Sequence, residues 1–499
     1  MPTESQEASL ASILVARFLR THNYTQTLDA FLREAGLPAN AGQLRDKDEG
    51  NVWTIEGVLE EKKAFDQSVN FERYGEDEKE KGIWSVPAPT KPNIVATPTA
   101  SNILACSVEQ WQLPSDNNNN NNEHLNAPSA YLVATGADKH LNLFQTSAGY
   151  DPAQSFSGTS EAPILSYAPI QGGKCALLTN MSGQLLLQRG AEILDRRKDH
   201  AKYAVKVVTH EDSNTDGSGT VWIATAGWDS KIFLYRTSLT NDEAAPMTIG
   251  EPVASIPLPS NPESILFVRH IDTNELILLV SRRDSTYLYY YRVVAPAQLR
   301  DSPYECVCLG KQNLAPHSNA WVAFSPSCLA LSPLDPGLLA IATSTLPHMK
   351  VMIVRLLFPA ALAESRDAGA DANANEDAEP QTQAAQAFAA LSLQNREDAA
   401  ILIQANTFAP QTAYSTPQVV WRPDGSGVWV NGDDGVIRGV ETKTGKVVTL
   451  LKDGHQVGCK IRAIWAGWVE TTAKGGEVER EEWLVSGGFD KRLVVWKVE

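Results

Sequence analysis

The sequence predicts a mainly β chain: a closed ring of seven four-stranded sheets, preceded by an α-helical hairpin and one further helix. Three observations predict it. Short paired apolar runs, bounded by Gly, Asn, Asp or Ser, recur along residues 93–499. The last pair, through Leu484-Val485-Ser486-Gly487-Gly488 and Leu493-Val494-Val495-Trp496, closes the sequence one strand short of a full sheet. Near the start, residues 8–37 carry apolar positions at helical rather than alternating spacing.

The helical stretch comes first. Leu10, Ile13, Leu14 and Phe18 form one stripe, and Leu28, Phe31 and Leu32 form another after a break at His22-Asn23-Tyr24. Asn23 suits a left-handed corner, Thr25 can cap the second helix, and Gly36-Leu37-Pro38 can end it. Two helices this short cannot bury both stripes alone and need a partner. The stretch resembles a LisH motif through Phe18-Leu19, Asn23-Tyr24, Thr27-Leu28, Phe31 and Glu34, with Asn23 and Leu28 where that family carries glycine and alanine. The resemblance implies a homodimer through Leu10, Ile13, Leu14, Phe18, Leu19, Tyr24, Leu28 and Phe31. The alternative is a hairpin folded back onto its own ring.

Residues 38–92 read as linker around a helix. Residues 38–53 are polar. From Thr54, the positions Ile55, Val58, Leu59, Phe65 and Val69 fall near one helical face. Residues 75–92 begin with Glu76-Asp77-Glu78-Lys79-Glu80-Lys81 and turn proline-rich, the composition of a solvated tether.

The ring occupies residues 93–499, each unit having strands a to d from the channel outward. Strands b and c are plainest: 131–135 with 140–145, 174–179 with 183–188, 220–225 with 230–236, 275–280 with 286–293, 337–343 with 348–355, 426–431 with 435–440, and 482–487 with 491–498. Asn93-Ile94-Val95-Ala96-Thr97 is the candidate fourth strand of the last unit, and pairing it there would remove an open sheet edge. Long interruptions follow a rule. The Asn-rich insert 113–130, the stretch 211–219 and the charged segment 470–481 lie between strands a and b; 237–251 and the acidic insert 359–399 lie between c and d. Both kinds of connection emerge at one end of the ring, leaving the b–c and d–a end uncluttered. Disorder is expected for 359–399, with a short helix from Ala384 to Leu393 as the alternative.

Gly454-His455, Ile461-Arg462-Ala463-Ile464-Trp465 and the closing pair ending in Trp496 resemble a WD repeat. That resemblance implies a seven-bladed WD-repeat β-propeller and assigns His455, Ser486, Asp490 and Trp496 to a buried hydrogen-bonded tetrad. His200, Thr225, Asp229 and Tyr235 look like the same set in blade three, and Thr135, Asp138 and Phe144 a partial one in blade one. Blade two has Ser182-Gly183 where the acid is expected, and blade five has no evident acid. Ser, His and an acid also suggest a hydrolase, but no Gly-x-Ser-x-Gly strand-to-helix turn presents a nucleophile. The partner-facing candidates are the residues just before the turn acids: Trp228, Arg283, Asp433 and Phe489. Trp465 and Trp468 are expected in the core.

Net charge is −16, from 43 basic and 59 acidic residues, against general affinity for nucleic acid. No apolar run reaches the roughly 18 residues of a membrane span. Six scattered cysteines suggest reduced thiols inside the cell, in cytoplasm or nucleus. There is no Cys-x-x-Cys pair, P-loop or dinucleotide motif, so no metal, cofactor or small-molecule substrate is expected. The expectation is a non-enzymatic scaffold that dimerises and binds protein partners. The alternatives are an escort for a basic protein cargo, histone- or ribosomal-protein-like, and a substrate receptor of a ubiquitin-ligase assembly.

Overall fold

A computed structural model describes residues 10–43, 54–56, 84–113, 128–147, 149–213, 219–239, 247–293, 306–317, 324–359, 383–472 and 478–498. It contains two compact units, residues 1–80 and 81–499.

In the first unit, α1 (Leu10–Thr21) and α2 (Thr25–Glu34) form the hairpin. Asn23 turns the corner at φ 58°, and Gly36 ends α2 at φ 64° with the Leu37 amide donating to the Leu32 carbonyl. Thr25 is the first residue of α2 and makes no side-chain cap. Ala16, Leu28 and Leu32 are buried between the helices. Residues 38–43, expected as linker, fold back instead: Arg20 donates to the carbonyls of Ala39 and Ala41, and Ala41 packs on the hairpin core. The helix expected from Thr54 lies outside the described residues beyond Glu56.

The second unit is a seven-bladed β-propeller, seven four-stranded antiparallel sheets. Blade one spans 103–156, blade two 164–197, blade three 204–257, blade four 262–313, blade five 326–410 and blade six 419–451. Blade seven joins strands Ile461–Thr472, Val478–Gly488 and Leu493–Lys497 to Lys91–Val95, which pairs outermost with Asn93 opposite Val495. The alternating strands bury both faces, so the apolar clusters lie between blades rather than within them. Leu177 and Leu187 of blade two meet Val221 and Ile223 of blade three, and Trp483 of blade seven meets Leu132 and Phe144 of blade one. Burying a side chain like Trp483, at 0% exposure, contributes about 2–3 kcal/mol.

Three expectations change here. The segment 470–481 is mostly strand, because the a–b hairpin of blade seven runs on to Thr472 and resumes at Val478. The insert 359–399 ends in an α-helix, α3 (Gln383–Ala399), longer than the one sketched from Ala384 to Leu393; residues 360–382 lie outside the description. Its Glu397 accepts from the Asn313 amide and Gln394 donates to the Pro316 carbonyl, so α3 reaches a d–a connection on the end expected to be clear. Most of the insert 113–130 is undescribed.

The tether also ends early. Trp84 is buried, with its ring centroid 5.2 Å from that of Trp429 and the Arg422 guanidinium 4.6 Å over its face. A Cβ at Gly427 or Gly439 would collide with this ring, so both positions need glycine. Residues 84–92 are therefore propeller, not linker.

Candidate functional site

The b–c turns place the predicted polar sets. In blades one, three and seven the turn runs Gly-x-Asp followed by a residue at positive φ: Lys139 at 71°, Ser230 at 60° and Lys491 at 66°. The carboxylate folds over the glycine. At Gly488 a Cβ would stand 2.5 Å from Asp490 and 2.9 Å from His455, which excludes any side chain there.

In blade seven His455 Nδ1–H donates to Asp490, 3.1 Å from each carboxylate oxygen, and Nε2 accepts from Ser486 Oγ at 2.8 Å. Ser486 in turn accepts from the Trp496 indole at 2.9 Å. Asp490 also accepts from the amides of Gln456 and Arg492. Burial alone would raise its carboxyl, but the His455 bond and these amides hold it down at about 2. With His455 and Asp490 side chains at 0% and 1% exposure and both Ser486 partners internal, the serine has no open approach for a substrate.

Blade three repeats the arrangement. His200 bridges Asp229 at 3.0 Å and Thr225 at 2.9 Å, and burial lowers the histidine pKa against the pull of Asp229. Tyr235 replaces the tryptophan, and its hydroxyl donates to Asp199, which also pairs with Arg197. In blade one Asp138 bonds Thr99 and His140, while Thr135 accepts from the Ala105 amide.

Sequence reasoning missed the substitutes elsewhere. Asn180 organises the blade-two turn, accepting from the amides of Ser182 and Gln184 and donating to Ser160. Asn431 does similar work in blade six, accepting from the Gln418 amide and donating to the carbonyls of Thr416 and Ile461. A polar residue closing an apolar strand b, as in Cys175–Asn180, was the available signal. Also unforeseen was Arg422, fully buried, which bonds Glu482 at 2.9 and 2.7 Å and the carbonyls of Val86 and Pro87.

The partner-facing candidates separate into two pairs. Trp228 and Phe489 are each 43% exposed, Trp228 lying 5.2 Å from the Tyr203 ring. Arg283 and Asp433 are already engaged: Arg283 donates to Glu263 at 2.6 Å, and Asp433 is held by Lys460 and Ser415. Trp468 is not core; it is exposed at 40% beneath Arg480, whereas Trp465 packs on the blade-seven cluster. Other exposed apolar groups on the b–c and d–a connections are Tyr203, Leu346, Tyr414 and Val457. Among the predicted hairpin contacts, Leu28 is enclosed within the hairpin, Ile13, Leu14, Phe18, Leu19 and Phe31 are half-buried, and Tyr24 is exposed. The side chain of Leu10 is outside the description.

Residues 121–497 match the beta-propeller domain of the UCP007778 family, and residues 11–41 match its LisH domain. The chain belongs to the UCP007778 family. No curated protein matches it. The UCP007778 pairing of a LisH domain with a propeller is consistent with a protein-interaction scaffold, and propellers of this kind are typical non-catalytic interaction folds. Among the described residues, all six cysteines are free thiols, no His/Cys/Asp/Glu group could hold a metal, and no helix is long and apolar enough to cross a membrane.

Proposed function

We propose that this protein is a non-enzymatic scaffold of the WD-repeat type that dimerises through residues 8–37 and binds protein partners on the b–c and d–a end of its propeller. The observation that carries the reading is the set of exposed apolar side chains on those connections: Tyr203, Trp228, Leu346, Tyr414, Val457 and Phe489. Aromatic side chains of this sort dominate interface energies when a partner desolvates them. The Ser-His-Asp sets beneath them are closed networks, which supports a supporting rather than a chemical role.

Affinity purification with mass spectrometry tests this. Trp228→Ala combined with Phe489→Ala should remove a reproducible set of partners while the fold is kept. Loss of no partner from that variant would overturn the assignment of the face.

A further inference from the structure

We propose that the rim of blades six and seven binds a linear segment of a partner protein in which an anionic side chain is flanked by apolar ones. Arg462 takes the anion, and Tyr414, Val457 and Phe489 take the apolar groups. The inference rests on the scaffold reading above and names its partner class.

The residues form one patch. Lys460 is its hub: Nζ lies 3.1 Å from Thr412 Oγ1 and 3.1 Å from Asp433, and its carbonyl accepts from the Phe489 amide at 2.9 Å. Ser415 closes the circuit by donating to Asp433 at 2.5 Å. Four connections are thereby locked side by side, and three of them raise Val457 at 100% exposure, Tyr414 at 88% and Phe489 at 43%. Large apolar groups on a pre-ordered surface lose little entropy when covered.

The charges select the partner. Three nearby carboxylates are already engaged, Asp433 by Lys460, Asp434 by Arg438 at 2.6 Å and Asp490 by His455, while Asp453, exposed on the connection that carries Val457, makes no ion pair among the described residues. Arg462 stands on the β-bulge at the head of Ile461–Thr472, the innermost strand of blade seven. It is half-buried, burial lowers its pKa, and among the described residues it has no ion-pair partner. Lys491, exposed on the turn beside Phe489, has none either. A guanidinium with part of its hydration removed and no carboxylate gains two charge-assisted bonds from an arriving oxyanion. Although the whole chain carries −16, this rim presents unmatched positive charge, opposite to what a basic cargo needs.

A random peptide library displayed on phage, selected on the full chain, tests the proposal. Enriched peptides should carry Asp or Glu within a few residues of Leu, Phe or Trp. Arg462→Gln should lower their affinity roughly tenfold, and Tyr414→Ala with Phe489→Ala should do the same while leaving the melting temperature unchanged. Resynthesising the peptides with phosphoserine in place of the acidic residue distinguishes a phosphate from a carboxylate source. Enrichment of Lys- and Arg-rich peptides would overturn the assignment and leave the scaffold reading standing. Equal enrichment on wild type and on the Arg462→Gln, Tyr414→Ala, Phe489→Ala triple variant would overturn it as well.

Discussion

Arg422 on the inner side of blade six is bonded twice to Glu482 of blade seven, at 2.9 and 2.7 Å, with both side chains nearly or wholly buried. The pair bridges two blades, and the ring of Trp84 covers it. Removing Arg422 strands the Glu482 charge, and removing Glu482 leaves the buried Arg422 only the more distant, partly exposed Asp424 at 3.5 Å. Glu482→Leu or Arg422→Met alone is expected to cost about 3–5 kcal/mol, and the double replacement clearly less than the sum. Chemical denaturation of the four proteins in the cycle checks this; additive losses would contradict the coupling.

Trp84 fills a slot floored by Gly427 and Gly439. Trp84→Ala should leave a cavity against Trp429 and lose about 3–5 kcal/mol. A melting temperature equal to wild type would show that residues 84–90 are dispensable to the ring.

Asp490 gives a pH dependence with a defined sign. Its folded pKa of about 2 lies below the ordinary aspartate value of 3.8, so its contribution is fully present above about pH 4 and is lost as pH falls toward 2. Allowing for solvent screening at the turn, the effect is about 1–2 kcal/mol. In Asp490→Asn this part of the acid dependence should vanish, read as converging melting temperatures of mutant and wild type between pH 4 and 2.5.

Lys139 holds φ 71° on an exposed turn. Glycine there avoids the left-handed penalty and should stabilise the protein by about 0.5–1 kcal/mol. Differential scanning calorimetry would show a small upward shift, and a downward one would mean the lysine makes a compensating contact.

Leu14 lies half-buried on α1 and outside the Ala16–Leu28–Leu32 core. Leu14→Asp should convert a dimer to a monomer in sedimentation equilibrium, whereas Leu28→Asp should melt the hairpin itself. A monomeric wild type would remove the dimer proposal.

Much of this architecture was legible in the amino-acid order because its determinants are local. The b–c strand pairs, the Gly-x-Asp turns and the closure near Ile94 each follow from short apolar runs and the residues that break them. The Trp84–Arg422 contact was not legible, since 336 residues separate Arg422 from the Val86 carbonyl that it also bonds. Composition around Trp84 suggests solvent, and only the distant Gly427 and Gly439 make room for it. Asn180 and Asn431 were not legible because the signal of this fold is an acid in the turn, whereas here the organising amide sits at the end of the strand. Tyr414 and Val457 were not legible for a related reason: the d–a connections carry no repeated motif to mark which residue stands outward.

The ring's seam has a consequence for biosynthesis. Asn93 leaves the ribosome early, yet the Val495 carbonyl to which its side chain donates is 402 residues away. At roughly 5–20 residues per second, the strand Lys91–Val95 waits on the order of 20–80 s for its partner. For that interval an unpaired strand bearing Ile94 hangs from the nascent chain, so whatever shields it before translation ends decides how many copies close correctly.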